Sequence, residues 1–197
     1  MNQQSSTPAG EDAVREQIVR TADRLYYEQG ILSVGMDSVR DAAGVSLKRL
    51  YSLFASKDEL VVAVLRLRQQ MLREGLESHR DLATDPRERV LSVFDFLDRW
   101  FGEPGFRGCG FINAFGELGS RSDDVASVVR ETKVEFRTYV EGLVREAGGS
   151  DTVALQIVLL AEGAQTTAAI TGTPSLIASC ARAAAATLLD ADLAATA

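Results

Sequence analysis

Lys48, Arg49, Tyr51 and Ser52 bring two adjacent cations, a phenol and a hydroxyl into five consecutive positions. Cations and hydroxyls of this kind engage phosphate oxygens and base edges, so the chemistry on offer is recognition of a DNA groove rather than the making of bonds. They can act together only if one element holds them on a common side. Leu47, Leu50 and Phe54 fall at helical spacing with Val45 just ahead, which predicts a short helix whose apolar side packs inward and leaves those four groups outside.

Catalysis finds no comparable constellation. Gly102–Gly110, GEPGFRGCG, is glycine-rich but follows a helical pattern and lacks the Lys-Ser ending of a phosphate-cradling loop. His79 is the only histidine and has no evident triad partners, so it reads as a solvated residue near the end of a long helix. Glu117 and Glu162 are conceivable as paired carboxylates, although surface or ligand-facing acids are the commoner case. Cys109 and Cys180, far apart in sequence, give neither a disulfide framework nor a metal cluster. Cys109 reads as a small buried hydrophobe, with a redox sensor as the alternative. No enzyme activity, cofactor or metal is expected.

A small-molecule site has better material. Trp100, Phe101, Phe106, Phe111, Phe115, Phe136 and Tyr139 crowd into residues 100 to 139, and Asn113 and Gln165 can fix polar groups. Such a mixture lines a mostly apolar ligand site, and it equally fills a core. Trp100, Phe101, Phe111, Asn113, Phe115, Tyr139 and Gln165 are the candidate ligand-binding residues.

The elements that must position these groups are helices throughout. Val14, Ile18, Ala22, Leu25 and Tyr26 stripe a first helix from Glu11 to Gln29, ended by Gly30. Asp37 to Ala43 forms a second, Gly44 breaks it, and Ser46 can cap the segment Leu47 to Phe54. Two short helices around a tight glycine turn outline a helix-turn-helix. Ser56-Lys57-Asp58-Glu59 is a capping box that opens a long helix to about His79. Asp85-Pro86 starts another, Phe111 to Leu118 is a short one, and Ser122 caps a run to about Ala147. Ser150-Asp151 starts a helix to about Thr171, and Thr173-Pro174 starts the last, to about Asp190. Those final two are rich in alanine, so they suit either half of a four-helix dimer interface or an intramolecular hairpin.

Gly30, Ala43-Gly44-Val45-Ser46, Leu50-Tyr51, Phe54 and Ser56-Lys57-Asp58-Glu59-Leu60 together resemble the signature of the tetracycline-repressor-like (TetR) family of bacterial regulators. The resemblance implies an all-α homodimer: an N-terminal three-helix helix-turn-helix binds a palindromic operator in double-stranded DNA, and a larger C-terminal helical domain binds a small-molecule effector and holds the dimer. Carried over residue by residue, the recognition helix falls on Ser46 to Phe54, the phosphate-contacting tyrosine on Tyr51 and the helix-opening lysine on Lys57. The candidate DNA-binding residues are therefore Ser46, Leu47, Lys48, Arg49, Tyr51, Ser52 and Lys57. Many relatives carry hydroxyl residues where this chain has Val34 and Gly35, and alanine where it has Arg40. Because of those departures, a second reading stands beside the regulator: a helical carrier or partner-binding module of the same fold without operator recognition. The expected layout is a disordered tail over 1–10, a DNA-binding domain over 11–56, a connecting helix over 57–80, and a ligand-binding and dimerisation domain over 81–197.

The formal net charge of −7 suits a DNA-binding protein only when divided by region: residues 1–80 hold 11 Lys+Arg against 11 Asp+Glu, so residues 81–197 carry the whole imbalance. Locally placed cations set affinity for DNA, and an acidic distal domain should point away from the duplex. The sustained apolar run Val153 to Ala161 is too short to span a membrane. With no signal segment at the start, the cytoplasm is the expected compartment.

Overall fold

The computed structural model describes residues 8–196. Among them all regular structure is helical, in the order α1 (Pro8–Gln29), α2 (Met36–Ala43), α3 (Leu47–Leu53), α4 (Lys57–Arg80), α5 (Pro86–Phe101), α6 (Gly110–Leu118), α7 (Asp123–Glu146), α8 (Asp151–Thr171) and α9 (Pro174–Thr196). Of the tail expected over 1–10, residues 1–7 lie outside the described residues, while Pro8–Gly10 form the first turn of α1. Proline suits that position, because the missing N–H has no helical partner there.

The chain forms two compact units: one takes the residues up to Arg68 together with Gly110–Val129, and the other takes Gln69–Cys109 with everything from Arg130 onward. The sequence pattern groups 81–197 together, whereas α6 and the first turns of α7 sit with the N-terminal residues. Helical periodicity marks an apolar face but not what that face meets.

In the first unit Ile18 and Ala22 of α1, Val39 of α2, Leu50 of α3, Phe54, and Leu60 and Val61 of α4 are fully buried. Local chemistry sets the ends of these helices. Gly44 closes α2 in the left-handed region at φ 65°, and its N–H donates to the Asp41 carbonyl at 3.3 Å. The Ser46 Oγ then accepts the Arg49 N–H at 3.2 Å and caps α3, an arrangement whose loss typically costs about 1 kcal/mol. At the start of α4 the Ser56 Oγ accepts from the Glu59 N–H at 3.1 Å. The Glu59 carboxylate returns to the Ala55 N–H at 2.7 Å, one residue before the position a standard capping box uses.

In the second unit α5, α8 and α9 pack together around Phe94, Leu97, Ile157, Ala161, Ala185 and Leu189. Asp85 and Ser150 cap α5 and α8 as their sequences suggest. The helix α9 runs past Asp190 to Thr196 because Asp192 is anchored: its carboxylate accepts both the Ser150 N–H and the Ser150 hydroxyl, each at 2.7 Å. Ala161, Ala164, Ala168, Ala178, Ala181 and Ala185 are buried within the unit, so the alanine-rich pair is an intramolecular hairpin on its inner side. The apolar run that looked too short for a membrane lies within α8, which is long and apolar enough to cross one. Here α8 is a core helix, with Val153, Ile157, Val158 and Ala161 among its buried residues.

Candidate nucleic-acid interface

The short helix α3 is seated by Leu50 and Phe54, both fully buried, and its opposite side carries Lys48, Tyr51 and Ser52 in solvent, with Tyr51 47 % exposed. Leu47 departs from the expected inward face and is 38 % exposed. It occupies the first helical position, where the side chain leans back over the preceding turn.

The charges around this surface are unequal in freedom. Among the described residues Lys48 has no carboxylate partner. Arg49 is only partly exposed and stands 3.8 Å from Glu11 of α1. Arg40 is held by Asp41 at 2.7 Å and Asp37 at 3.2 Å, so the cation that departs from the family pattern is largely compensated. Ser46 has its oxygen committed to the cap but retains its own hydrogen to donate. The Ser52 hydroxyl donates to the Arg49 carbonyl at 2.7 Å. Lys57 is half-buried, with Nζ 5.9 Å from the Tyr26 ring centroid. Burial lowers its pKa, and the neighbouring carboxylates of Glu117 and Asp58 act in the opposite sense. Lys57 is thus less free to meet phosphate than Lys48.

The candidate ligand residues are divided between the two units. In the second unit Phe101 is buried core, and Trp100 lies edge-on to Phe106 with centroids 5.3 Å apart and stacked on Phe96 at 6.1 Å. Gln165 is buried and donates to Ala161 of its own helix at 3.2 Å. In the first unit Phe111 is core, while Asn113 and Phe115 face solvent on α6. Of the seven, Tyr139 alone lines the cavity of about 120 Å³ between α4 and α7 in the second unit. Leu72, Leu76 and Phe136 form the apolar side of that cavity, and Arg73 and Glu135 pair at its edge. The Tyr139 hydroxyl donates to the Leu76 carbonyl at 3.3 Å. Arg73, Thr132 and Glu135 also line the cavity; the sequence does not single them out, because an isolated polar residue on an amphipathic helix looks like any solvated one.

The remaining chemical candidates are occupied. Glu117 binds backbone amides within the first unit, and Glu162 pairs with Lys133 at 2.6 Å in the second. Cys109 is buried with Lys133 Nζ 3.4 Å from its sulfur. His79 is not simply solvated: its Nδ1 lies 2.8 Å from the Gly75 carbonyl and its ring meets Phe96 edge-on.

A family model described as bacterial regulatory proteins, tetR family, matches residues 18–64, which span the second half of α1 through the opening of α4. A TetR-type regulator from Streptomyces avermitilis is 31 % identical, with a TM-score of 0.74 over 91 % of this chain and 97 % of that one. The chain belongs to the TetR family. A second TetR-family regulator, from Streptomyces coelicolor, superposes with a TM-score of 0.86 at 27 % identity, over 92 % of this chain and 96 % of that one. Among curated proteins, the transcriptional activator FasR of Mycolicibacterium smegmatis is 36 % identical over 91 residues, which is 44 % of this chain and 42 % of FasR. The regulator BetI of Rhizobium meliloti is 35 % identical over 79 residues, 40 % of this chain and 39 % of BetI. The chain thus spans about two fifths of the length of these curated relatives. As a TetR-family member it is an all-α, helix-turn-helix transcriptional regulator and not an enzyme.

Proposed function

We propose that this regulator is a cytoplasmic, ligand-responsive repressor that binds a palindromic operator as a homodimer and is released by a small, largely apolar molecule. The observation that carries the DNA-binding part is α3 itself, seated by Leu50 and Phe54 with Lys48, Tyr51 and Ser52 in solvent. Ser46, Leu47, Lys48, Arg49, Tyr51, Ser52 and Lys57 form the contact set. Lys48 is the foremost phosphate contact, since among the described residues no ion pair must break for it to act.

Dimerisation is supported by the outward side of the last two helices. Leu155, Leu159 and Ile170 of α8 and Leu176 of α9 are all exposed, and Gly163 and Thr166 continue the α8 row at helical spacing. An apolar row with Gly163 and Thr166 between Leu159 and Ile170 suits close helix approach to a second copy. The effector would enter between α4 and α7, with Leu72, Leu76 and Phe136 against its apolar part and Tyr139 at its polar end. At about 120 Å³ the cavity takes only a few heavy atoms, so a larger effector must widen it.

The test is a mobility-shift titration on the intergenic DNA beside the regulator's own gene, paired with expression of that gene in a deletion strain. Binding with raised expression supports repression; binding with lowered expression makes it an activator. No preference for that DNA over random duplex would refute operator recognition.

A further inference from the structure

The helix α2 opens on Gly35, which supplies no side-chain cap. The turn before it, from Gly30 to Val34, is held from outside. Glu117 of α6, 86 positions along the chain from Ile31, accepts the Ile31 N–H at 3.1 Å on one carboxylate oxygen and the Leu32 N–H at 2.8 Å on the other. These amides converge because Gly30 is in the left-handed region at φ 87°, which aims successive N–H groups into one concavity suited to an anion. The hydrogen bonds are charge-assisted, the stronger kind. Val34, at the far end of the turn, is buried and pins it to the core. Lys57, at the start of α4, lies within the field of the same carboxylate. One acid from α6 thus meets the end of α1, the approach to α2 and the start of α4, all within the first unit.

We infer that Glu117 is a positioning residue for DNA binding: its carboxylate fixes the turn between α1 and α2 and thereby the seat of α2 and α3. This rests on the operator-binding reading above. The sign of the electrostatic effect makes the inference testable. Removing a negative charge from the DNA-binding unit should by itself tighten DNA binding, whereas loss of positioning should weaken binding to operator and spare binding to random duplex.

The probes are an operator selected from a random duplex pool with wild-type protein, and a random duplex of equal length. Proteins to compare are wild type, Glu117→Gln, Glu117→Ala and Glu117→Asp, with amide exchange at Ile31 and Leu32 followed in each. Glu117→Gln keeps the shape but opposes an amide NH₂ to one of the two N–H groups. Glu117→Asp keeps the charge but is too short to reach both. Amide exchange at the two positions should rise by at least about tenfold in Glu117→Ala, with operator affinity at least about tenfold lower, since one hydrogen bond to a charged acceptor is by itself worth about that factor. Glu117→Gln and Glu117→Asp should fall between, with random-duplex affinity equal to or above wild type. Faster exchange with unchanged or tighter operator binding in Glu117→Gln would overturn the inference while leaving the operator reading intact. Exchange unchanged in all three variants would also overturn it. A wild-type protein that selects no sequence from the pool would instead refute the operator reading, and the inference with it.

Discussion

The Phe96 ring of α5 lies directly against the backbone of Gly75 in α4, filling the space where any other residue would carry its Cβ. Alanine is the better helix former by about 1 kcal/mol, so helix propensity alone predicts that Gly75→Ala stabilises. Overpacking typically costs about 1 to 3 kcal/mol, and Phe96 is also pinned by His79 on one side and Trp100 on the other. The clash should win. Gly75→Ala is expected to lower the melting temperature, and Phe96→Leu added to it should recover part of the loss. A Gly75→Ala protein more stable than wild type would show that the aromatic row is loosely held.

Lys48→Ala should weaken operator binding and reduce the slope of log affinity against log salt by about 0.9, the release of one phosphate contact. Tyr51→Phe should cost about 0.5 to 1.5 kcal/mol in operator affinity with little change in melting temperature, since the exposed hydroxyl contributes to no core. Anisotropy titrations at several salt concentrations, with a thermal melt of each variant, measure both effects. If Tyr51→Phe lost stability and kept affinity, the phenol would be structural.

Leu159 is 63 % exposed, whereas Ala164, five residues on, is 5 % exposed. Both belong to α8, and their charged substitutions should fail in different ways. Leu159→Glu should shift the protein from dimer to monomer in sedimentation while each subunit stays folded. Ala164→Glu should unfold the subunit instead, because the acid would be buried without a partner. Sedimentation of wild type as a monomer at micromolar concentration would remove the proposed seam.

Alkaline pH should destabilise the fold through two tyrosines. Burial pushes the Tyr139 hydroxyl up to about 12, and burial, helped by Asp58, holds Tyr26 higher still. In the unfolded chain both ionise near pH 10. Below that pH neither state is charged and stability is complete; as pH rises from about 10 towards 12, the unfolded state sheds protons that the folded state retains, so stability falls. Urea unfolding at pH 8, 10 and 11 should show this decline, and Tyr26→Phe should flatten it. An equal slope in the variant would place the loss elsewhere.

The local elements were legible in the sequence because their signals are local. Gly44 needs only its own backbone to end α2, Ser46 reaches a donor three residues on, and Asp85-Pro86 and Ser150-Asp151 announce α5 and α8 by residues within one turn. The TetR signature likewise sits in one stretch, and the polar side of α3 follows from the period of Leu50 and Phe54. Tertiary structure decided what depends on partners distant in the chain. It set Asp192 against Ser150 and so carried α9 past its expected end. It buried Phe101 and Phe111 while exposing Phe115, which aromatic composition cannot distinguish, and it put the cavity against Arg73 and Glu135, which read as ordinary surface charges. It also gave Glu117 two amides from a turn 85 and 86 residues away. A carboxylate's role is fixed by the donors that converge on it, and convergence across that chain separation exists only after folding.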